Sequence, residues 1–389
     1  MDPIPPPGDE AAPLDPAATR TLADLAAAYW DFGLDESPAN CTYLGIDRGQ
    51  DRLDERGPIA RERQERVLDG LLHRVEAVAP AGLSPEDRLT RQILLRSIAE
   101  QAEALRRHGW EWDLDQLFGP VVGLQDLATK HRIRAPADLD ALVTRLTLVP
   151  KALDEYVDDL RDGLRSGRVA PRRSYERVLA QVRTFLATPA ASTPFFHAAG
   201  RLPAAWPESD AALGRARLLA AIETHVRPAF GTLLRFLESE YAGRARAEVG
   251  VWSIPGGPEA YAFAIRRHTT TTLSAERIHA IGREELERNE QEMLEIARAE
   301  GHAGDLRSYL DLVSRDPKYR LPTREAIIAR YREICARMDA RLSMRSGPRA
   351  EPTGPSTAAW SPASGARARA TCGSPRPRPT GSTTTTVRR

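Results

Sequence analysis

Apolar side chains recur at helical spacing along most of this 389-residue chain, and that periodicity is what most constrains its fold. The segment that follows Ser84, which we predict to be the N-cap of a helix, is typical, since Leu89, Ile93, Leu94 and Ile98 fall at helical spacing. The alternation of apolar and polar residues that marks β-strands is hard to find beyond a few residues. The pattern predicts an all-α protein.

Helix boundaries follow from the same periodicity and from capping residues. The predicted helices cover about 21–30, 59–79, 85–107, 136–147, 149–166, 172–188 and 209–243, with two more after Ser274 and from Thr323 to Leu342. Pro228 should kink or split the helix over 209–243. Residues 38–58 are predicted to form a connecting loop, and the aromatic stretch 110–118 a packing corner.

The periodicity stops at Leu342. Residues 343–389 contain seven Pro and eight Arg but only one acidic residue, Glu351, and three large apolar side chains. A segment with so few apolar groups cannot bury enough surface to offset the entropy lost on ordering it. The sequence therefore predicts a disordered lead-in over 1–16, a helical domain over 17–342 and a disordered tail over 343–389.

Three origins of the tail remain open. The first is a natural basic tail that binds nucleic acid or an acidic partner. The second is an engineered scar, and the third is the product of a shifted reading frame. Out-of-frame translation of GC-rich DNA yields mostly Arg, Pro, Ala, Gly, Ser and Thr, which is the composition of this tail. We favour the frameshift.

Charge and cysteine content narrow the class of protein. The tail contributes +7 to a formal total of +1, which leaves −6 for the first 342 residues. A mildly acidic body disfavours nucleic acid as a partner. Cys41, Cys335 and Cys372 form no C-x-x-C pair, which argues against a disulfide framework and a cysteine zinc site.

Because the chain shows neither a secretory signal nor an apolar run of membrane-spanning length, we predict a cytoplasmic location without membrane contact. The sequence leaves the oligomeric state open.

The most site-like segment lies between residues 249 and 300. A loop punctuated by Trp252, Pro255 and Gly257 leads to Tyr261 and then to a His-Thr-Thr stretch that starts at His268. A long helix follows, with Ile278, His279, Gly282 and Glu285 near its start.

In these motifs the chain resembles the bacterial domain of unknown function 885 family. The matching pattern is G-x-W-x-x-P-x-G-x-x-x-Y, then R-x-H-T-T, then L-[ST]-x-x-x-I-H-x-[IL]-G-x-x-E. The stretches from Pro38 to Gly45 and from Arg145 to Gly163 are also similar to the family. The resemblance covers about residues 20–342.

The resemblance implies an α-helical, zincin-like scaffold related to metallopeptidases. In a complete member of the family, a helix carrying a His-Glu motif would hold zinc, and a peptide-like substrate would be the partner. In this chain none of the eight His residues is followed by Glu, and no two lie three to five positions apart. The sequence therefore assigns no catalytic residue, no metal ligand and no cofactor to this chain.

Seven residues are candidates for the substrate cleft of such a fold. They are Trp252, Glu259, Tyr261, His268, Thr269, Thr270 and His279. A histidine near a helix start more often serves as a surface or hydrogen-bonding residue, so that interpretation stays open for His268 and His279. The leading hypothesis is the N-terminal part of a zinc-peptidase-like protein, inactive as written. The alternative is a helical interaction module whose Arg-rich tail binds nucleic acid or an acidic partner.

Overall fold

The helices predicted from the sequence account for most of the structure. The computed structural model describes residues 13–345, in which β pairing is limited to one isolated bridge between Pro171 and Arg246. The α-helices are α1 (Pro16–Glu36), α2 (Pro38–Leu44), α3 (Pro58–Glu76), α4 (Pro85–Arg106), α5 (Pro120–Lys130), α6 (Pro136–Thr147), α7 (Val149–Ser166), α8 (Arg172–Ala187), α9 (Glu208–Ala221), α10 (Arg227–Phe236), α11 (Gly257–Thr269), α12 (Ala275–Ala299), α13 (Leu306–Arg315) and α14 (Arg324–Arg345). The all-α prediction is confirmed.

Local capping explains where the helices begin. The Ser84 hydroxyl accepts a hydrogen bond from the backbone N–H of Asp87 at 3.1 Å, as its predicted role as N-cap of α4 requires. The predicted helix over 209–243 is split into α9 and α10 by a π-helical turn, Ile222–Val226, which ends two residues before Pro228. The missing N–H of proline favours such an interruption.

The prediction of a connecting loop over 38–58 was wrong at its start, and one further helix was not predicted. Residues 38–44 form α2, which starts at the N-cap Ser37 and is further held by a hydrogen bond from the Ala39 N–H to Asp54 Oδ1. Residues 120–130, for which no helix was predicted, form α5. Both helices are short and start at a proline, a residue that also marks loops, so their sequence signal is ambiguous.

The described helices up to α10 enclose two hydrophobic cores. The smaller core lies among α1, α3 and α4, and the residues at its centre are Leu22, Leu25, Leu68, Val75 and Ile98. The larger core is formed mainly by α6–α10, with Leu142, Leu160, Val182, Leu218 and Phe230 fully buried. The buried face of α7 packs into this second core. That packing anchors the loop that follows α7.

The chain divides into two compact units, Met1–Arg283 and Glu284–Arg389, with the boundary inside α12. In the second unit the described part has a small packed centre, where Tyr309 donates a hydrogen bond to Glu300 at 2.8 Å and its ring lies 5.5 Å from that of His302. The first three residues of the predicted tail, 343–345, belong to α14. The remainder of the tail and residues 1–12 of the predicted lead-in lie outside the described residues.

Candidate functional site

The Trp-Pro-Gly loop is held to the chain segment after α7 by two arginines. Arg246 donates from Nε to the carbonyl of Val169 at 2.9 Å and from Nη1 to the carbonyl of Gly250 at 2.8 Å. Arg168 donates from Nε to the carbonyl of Pro255 at 3.2 Å. The loop is therefore fixed at two carbonyls, five residues apart.

Two glycines of this loop are required by close contacts. A Cβ at Gly250 would lie 2.2 Å from the indole ring of Trp252, and a Cβ at Gly257 would lie 2.0 Å from the carbonyl oxygen of Val251. The indole packs over the Gly250 backbone, yet Trp252 is 67% exposed. The loop thus presents a large aromatic side chain to solvent from a constrained backbone.

Helix α11 carries the next candidates on different faces. Tyr261 and His268 are seven residues apart, which is two helical turns, so they lie on the same face to within about 20°. Both are exposed. Glu259 is about 160° around the helix from Tyr261 and therefore does not join them.

The side of α11 that bears Phe263 packs against α4. The Arg107 guanidinium lies 5.0 Å from the centre of the buried Phe263 ring, and Arg266 forms a 2.9 Å ion pair with Glu103. Arg96 also donates to the carbonyl of Arg266 at 2.8 Å. These contacts fix the rotation of α11 and thereby direct Tyr261 and His268 outward.

The threonines that follow His268 end the helix. The Thr269 hydroxyl donates to the carbonyl of Ile265 at 2.7 Å, and Thr270 is the C-cap in a left-handed conformation, with φ of 58°. Such a left-handed residue is a common way to stop a helix. In this structure the two threonines shape the turn between α11 and α12, and His279 lies exposed in the first turns of α12.

A buried carboxylate that the sequence did not single out lies behind the loop. Glu111 is 4% exposed, and its Oε1 accepts from Arg168 Nη1 at 3.0 Å and contacts His108 Nδ1 at 2.9 Å. The Ser166 hydroxyl donates to its other oxygen, Oε2. Within an aromatic-rich stretch, a lone Glu carries no sequence signal for burial, so this residue could be found only from the structure.

The residues that the structure describes do not form a zinc site. Among the described residues, no group of three or more His, Cys, Asp or Glu side chains is arranged to hold a metal ion. His268 and His279 lie on different helices, α11 and α12. No step of metal chemistry is therefore assigned to this arrangement.

None of the helices within residues 13–345 combines the length and the apolarity needed to span a bilayer.

Comparison with solved structures places the fold. A putative lipoprotein from Colwellia psychrerythraea is similar at a TM-score of 0.72 and 15% identity, over 84% of this chain and 59% of that one. A putative lipoprotein of unknown function from Shewanella oneidensis is similar at a TM-score of 0.57 and 13% identity, over 85% of this chain and 59% of that one. The chain thus spans about three fifths of the length of these two proteins. At such low identity the similarity concerns the fold alone.

The sequence itself matches no curated protein significantly. It does match the family described as bacterial protein of unknown function, domain of unknown function 885, over residues 38–387. That range contains the Trp252 loop, α11 and most of the tail, so the match gives no support to a change of reading frame at residue 343. Because it covers most of the chain, this protein belongs to the bacterial domain of unknown function 885 family.

Proposed function

We propose that this chain is the N-terminal, peptide-binding portion of a zinc-peptidase-like protein and that it does not itself hydrolyse peptides. The binding surface consists of Trp252 and the outward face of α11 with Tyr261 and His268. Thr269, Thr270 and His279 border it through the turn between α11 and α12, and Glu259 lies on the other side of α11.

The observation that carries this proposal is the shared exposure of Tyr261 and His268 on a helix whose rotation is fixed. Two turns of an α-helix span about 11 Å, a distance that about three residues of an extended peptide can cover. The phenol and imidazole can each donate or accept hydrogen bonds to peptide carbonyls and amides. Aromatic side chains on a rigid backbone lose little conformational entropy on binding.

Binding is tested with a fluorescein-labelled casein digest, by fluorescence anisotropy. We expect Tyr261→Ala and His268→Ala each to weaken binding by at least about fivefold, which corresponds to roughly 1 kcal/mol. Glu259→Ala is the matched control on the opposite side of the same helix, and it should leave the affinity unchanged. Equal affinities for all four proteins would refute the proposed surface.

The lack of hydrolysis rests on the sequence, where no His is followed by Glu. A zincin needs two histidines one turn apart to ligate the metal and a glutamate to activate water. The purified chain is expected to hold no stoichiometric zinc by elemental mass spectrometry and to release no peptide products when zinc is added. Stoichiometric zinc with metal-dependent cleavage would overturn this part of the proposal.

The shifted reading frame also stays a proposal, supported by the composition of residues 343–389. The nucleotide sequence decides it, because a shifted gene must encode an apolar, helix-compatible continuation with a His-Glu motif in another frame. A cytoplasmic location likewise stays a prediction, since both structural neighbours carry the description putative lipoprotein. Fractionation of the native host tests it.

A further inference from the structure

Glu111 and Arg168 form a continuous polar connection between a buried part of the protein and the Trp252 loop. Arg168 uses Nη1 for the Glu111 carboxylate at 3.0 Å and Nε for the Pro255 carbonyl at 3.2 Å. Its side chain is 26% exposed and that of Glu111 is 6% exposed. The bond to Glu111 is partly buried, where charge-assisted hydrogen bonds are stronger, whereas the bond to Pro255 lies at the protein surface.

The position of Glu111 is fixed independently of Arg168. The backbone there approaches α7 so closely that a Cβ at Gly163 would lie 2.0 Å from the Glu111 carbonyl oxygen. The carboxylate is also held by the Ser166 hydroxyl and by His108, whose ring stacks on Trp110 with 4.8 Å between ring centres. Arg168 thus couples the loop to a rigid acceptor.

Arg246 provides the second attachment, at the start of the loop. Its Nη1 contacts the Ser253 hydroxyl at 3.1 Å in addition to the Gly250 carbonyl, and its own backbone pairs with Ala170 and Arg172. The residues between the two attachments include Trp252, whose indole is largely exposed. An exposed aromatic side chain on a backbone held from both ends is preorganised for binding.

We infer that Glu111 and Arg168 are positioning residues that orient the Trp252 loop for peptide binding. The inference rests on the proposed function for its ligand, an extended peptide, but the orientation of the loop can be measured without any ligand. Arg168 reaches its two acceptors from two different nitrogens of one rigid, planar guanidinium. Lysine cannot reproduce this geometry because all three of its N–H donors are on a single nitrogen.

The first measurement is hydrogen exchange of the loop in the free protein. The amides of Ser253, Ile254 and Gly257 donate to carbonyls within the loop. Loss of one hydrogen bond of ordinary strength should speed their exchange about fivefold in Arg168→Ala, Arg168→Lys and Glu111→Gln. Exchange in the buried middle of α7, residues 153–160, reports whether the whole protein has loosened instead.

The matched control is Arg173→Ala, which removes an exposed arginine from the neighbouring α8. It should leave exchange of both segments unchanged. If the loop exchanges no faster in the three test variants, or if α7 accelerates as much as the loop does, the positioning role is wrong.

The second measurement is the affinity for the fluorescein-labelled casein digest. If the digest binds wild-type protein, we expect Arg168→Lys and Arg168→Ala to bind it less tightly and Arg173→Ala to bind it equally well. Unchanged affinity despite a loosened loop would overturn the inference that loop orientation serves binding. If the digest does not bind wild-type protein but the loop loosens in the variants, the proposed function fails while the attachment of the loop stands.

Discussion

Arg145 donates a hydrogen bond from Nη1 to Nδ1 of His131, over 3.2 Å in the interior of the protein. The other ring nitrogen, Nε2, lies 2.8 Å from the carbonyl oxygen of Asp138 and can only donate to it. His131 is therefore neutral, with its proton on Nε2. A second proton would place an N–H against the Arg145 guanidinium.

This pair predicts a loss of stability in mild acid. Burial is the main cause that lowers the pKa of His131 from its ordinary value of 6.5. Between the lowered pKa and about pH 6.5 the unfolded chain binds more protons than the folded chain. The free energy of unfolding therefore has its full value above about pH 6.5 and decreases as the pH drops toward the lowered pKa. Urea denaturation between about pH 5 and 8 measures this slope.

The matched variants are His131→Gln and His73→Gln. The first should flatten the decline below about pH 6.5, while the second, at a side chain that is 85% exposed, should keep the wild-type slope. A slope that survives in His131→Gln would assign the pH dependence to other groups.

Arg145 itself is expected to be a major contributor to stability. It is 2% exposed, and it donates to the Thr42 hydroxyl at 3.0 Å and to the carbonyls of Gly49 and Arg52 at 2.9 Å each. Burial lowers its pKa to about 10, so it remains charged at neutral pH. Arg145 uses three different nitrogens for these acceptors, whereas lysine has one nitrogen and cannot bond to all of them. Arg145→Lys should therefore lower the free energy of unfolding by at least about 2 kcal/mol.

Urea denaturation at neutral pH checks this value, with Arg177→Lys on the exposed face of α8 as the control. The control should change stability by no more than about 0.5 kcal/mol. A similarly small effect for Arg145→Lys would mean that water replaces the lost hydrogen bonds.

The close approach between α7 and Glu111 predicts opposite effects for one substitution at two glycines. At Gly163 an added Cβ would meet two backbone oxygens, those of Glu111 at 2.0 Å and Arg168 at 2.5 Å. Since neither can move without displacing the chain, Gly163→Ala should destabilise by about 1–3 kcal/mol. At Gly70 in α3 nothing lies within 4 Å, so Gly70→Ala should stabilise by roughly 0.5–1 kcal/mol.

Thermal denaturation of the two variants separates steric contact from helix propensity. If Gly163→Ala is as stable as wild type, the contact between α7 and the Glu111 backbone is looser than its geometry indicates.

The sequence predicted features that depend on local pattern, and it missed those that depend on partners distant in the chain. The cap at Ser84 and the break before Pro228 are local and were confirmed. The same is true of the helical class of the fold. Thr42 and Arg145 lie in two separate stretches that resemble the family, but their hydrogen bond joins residues 103 positions apart. The burial of Glu111 depends on α7 in the same way.

The sequence predicted which residues belong to the candidate site, but it did not predict how they are arranged in space. The sequence grouped seven residues in one cleft. Helical phase instead pairs Tyr261 with His268 and separates Glu259 from them. The Trp, Pro and Gly residues of this segment indicate a loop, and helical phase can be assigned only because the structure shows α11 beginning at Gly257. Whether these residues bind a substrate stays a prediction.

The exposed apolar residues of α14 predict self-association. Ile327, Tyr331 and Met338 are 42%, 66% and 59% exposed, and their spacing places them along one side of the helix. Apolar surface of this kind favours association unless another part of a protein covers it. Sedimentation velocity should show oligomers or aggregates of the purified chain.

Tyr331→Glu should shift the distribution of oligomers toward monomer because it places a charge between the exposed side chains of Ile327 and Met338. Arg332→Glu changes the charge at the next, exposed position and serves as the control. A wild-type chain that is monomeric at all concentrations would contradict the prediction.

Deletion of residues 346–389 separates two of the hypotheses for the tail, a nucleic-acid-binding tail and an out-of-frame product. These residues carry seven Arg and one Glu, and a functional nucleic-acid-binding tail would give affinity that falls steeply between about 50 and 200 mM salt. If the tail is instead out of frame, binding of a labelled DNA duplex has no selected role and should be weak even at low salt. We expect fluorescence anisotropy to detect no specific complex with either the full chain or the deletion variant. Tight, salt-sensitive binding that the deletion abolishes would favour the interaction module over the peptidase-like scaffold.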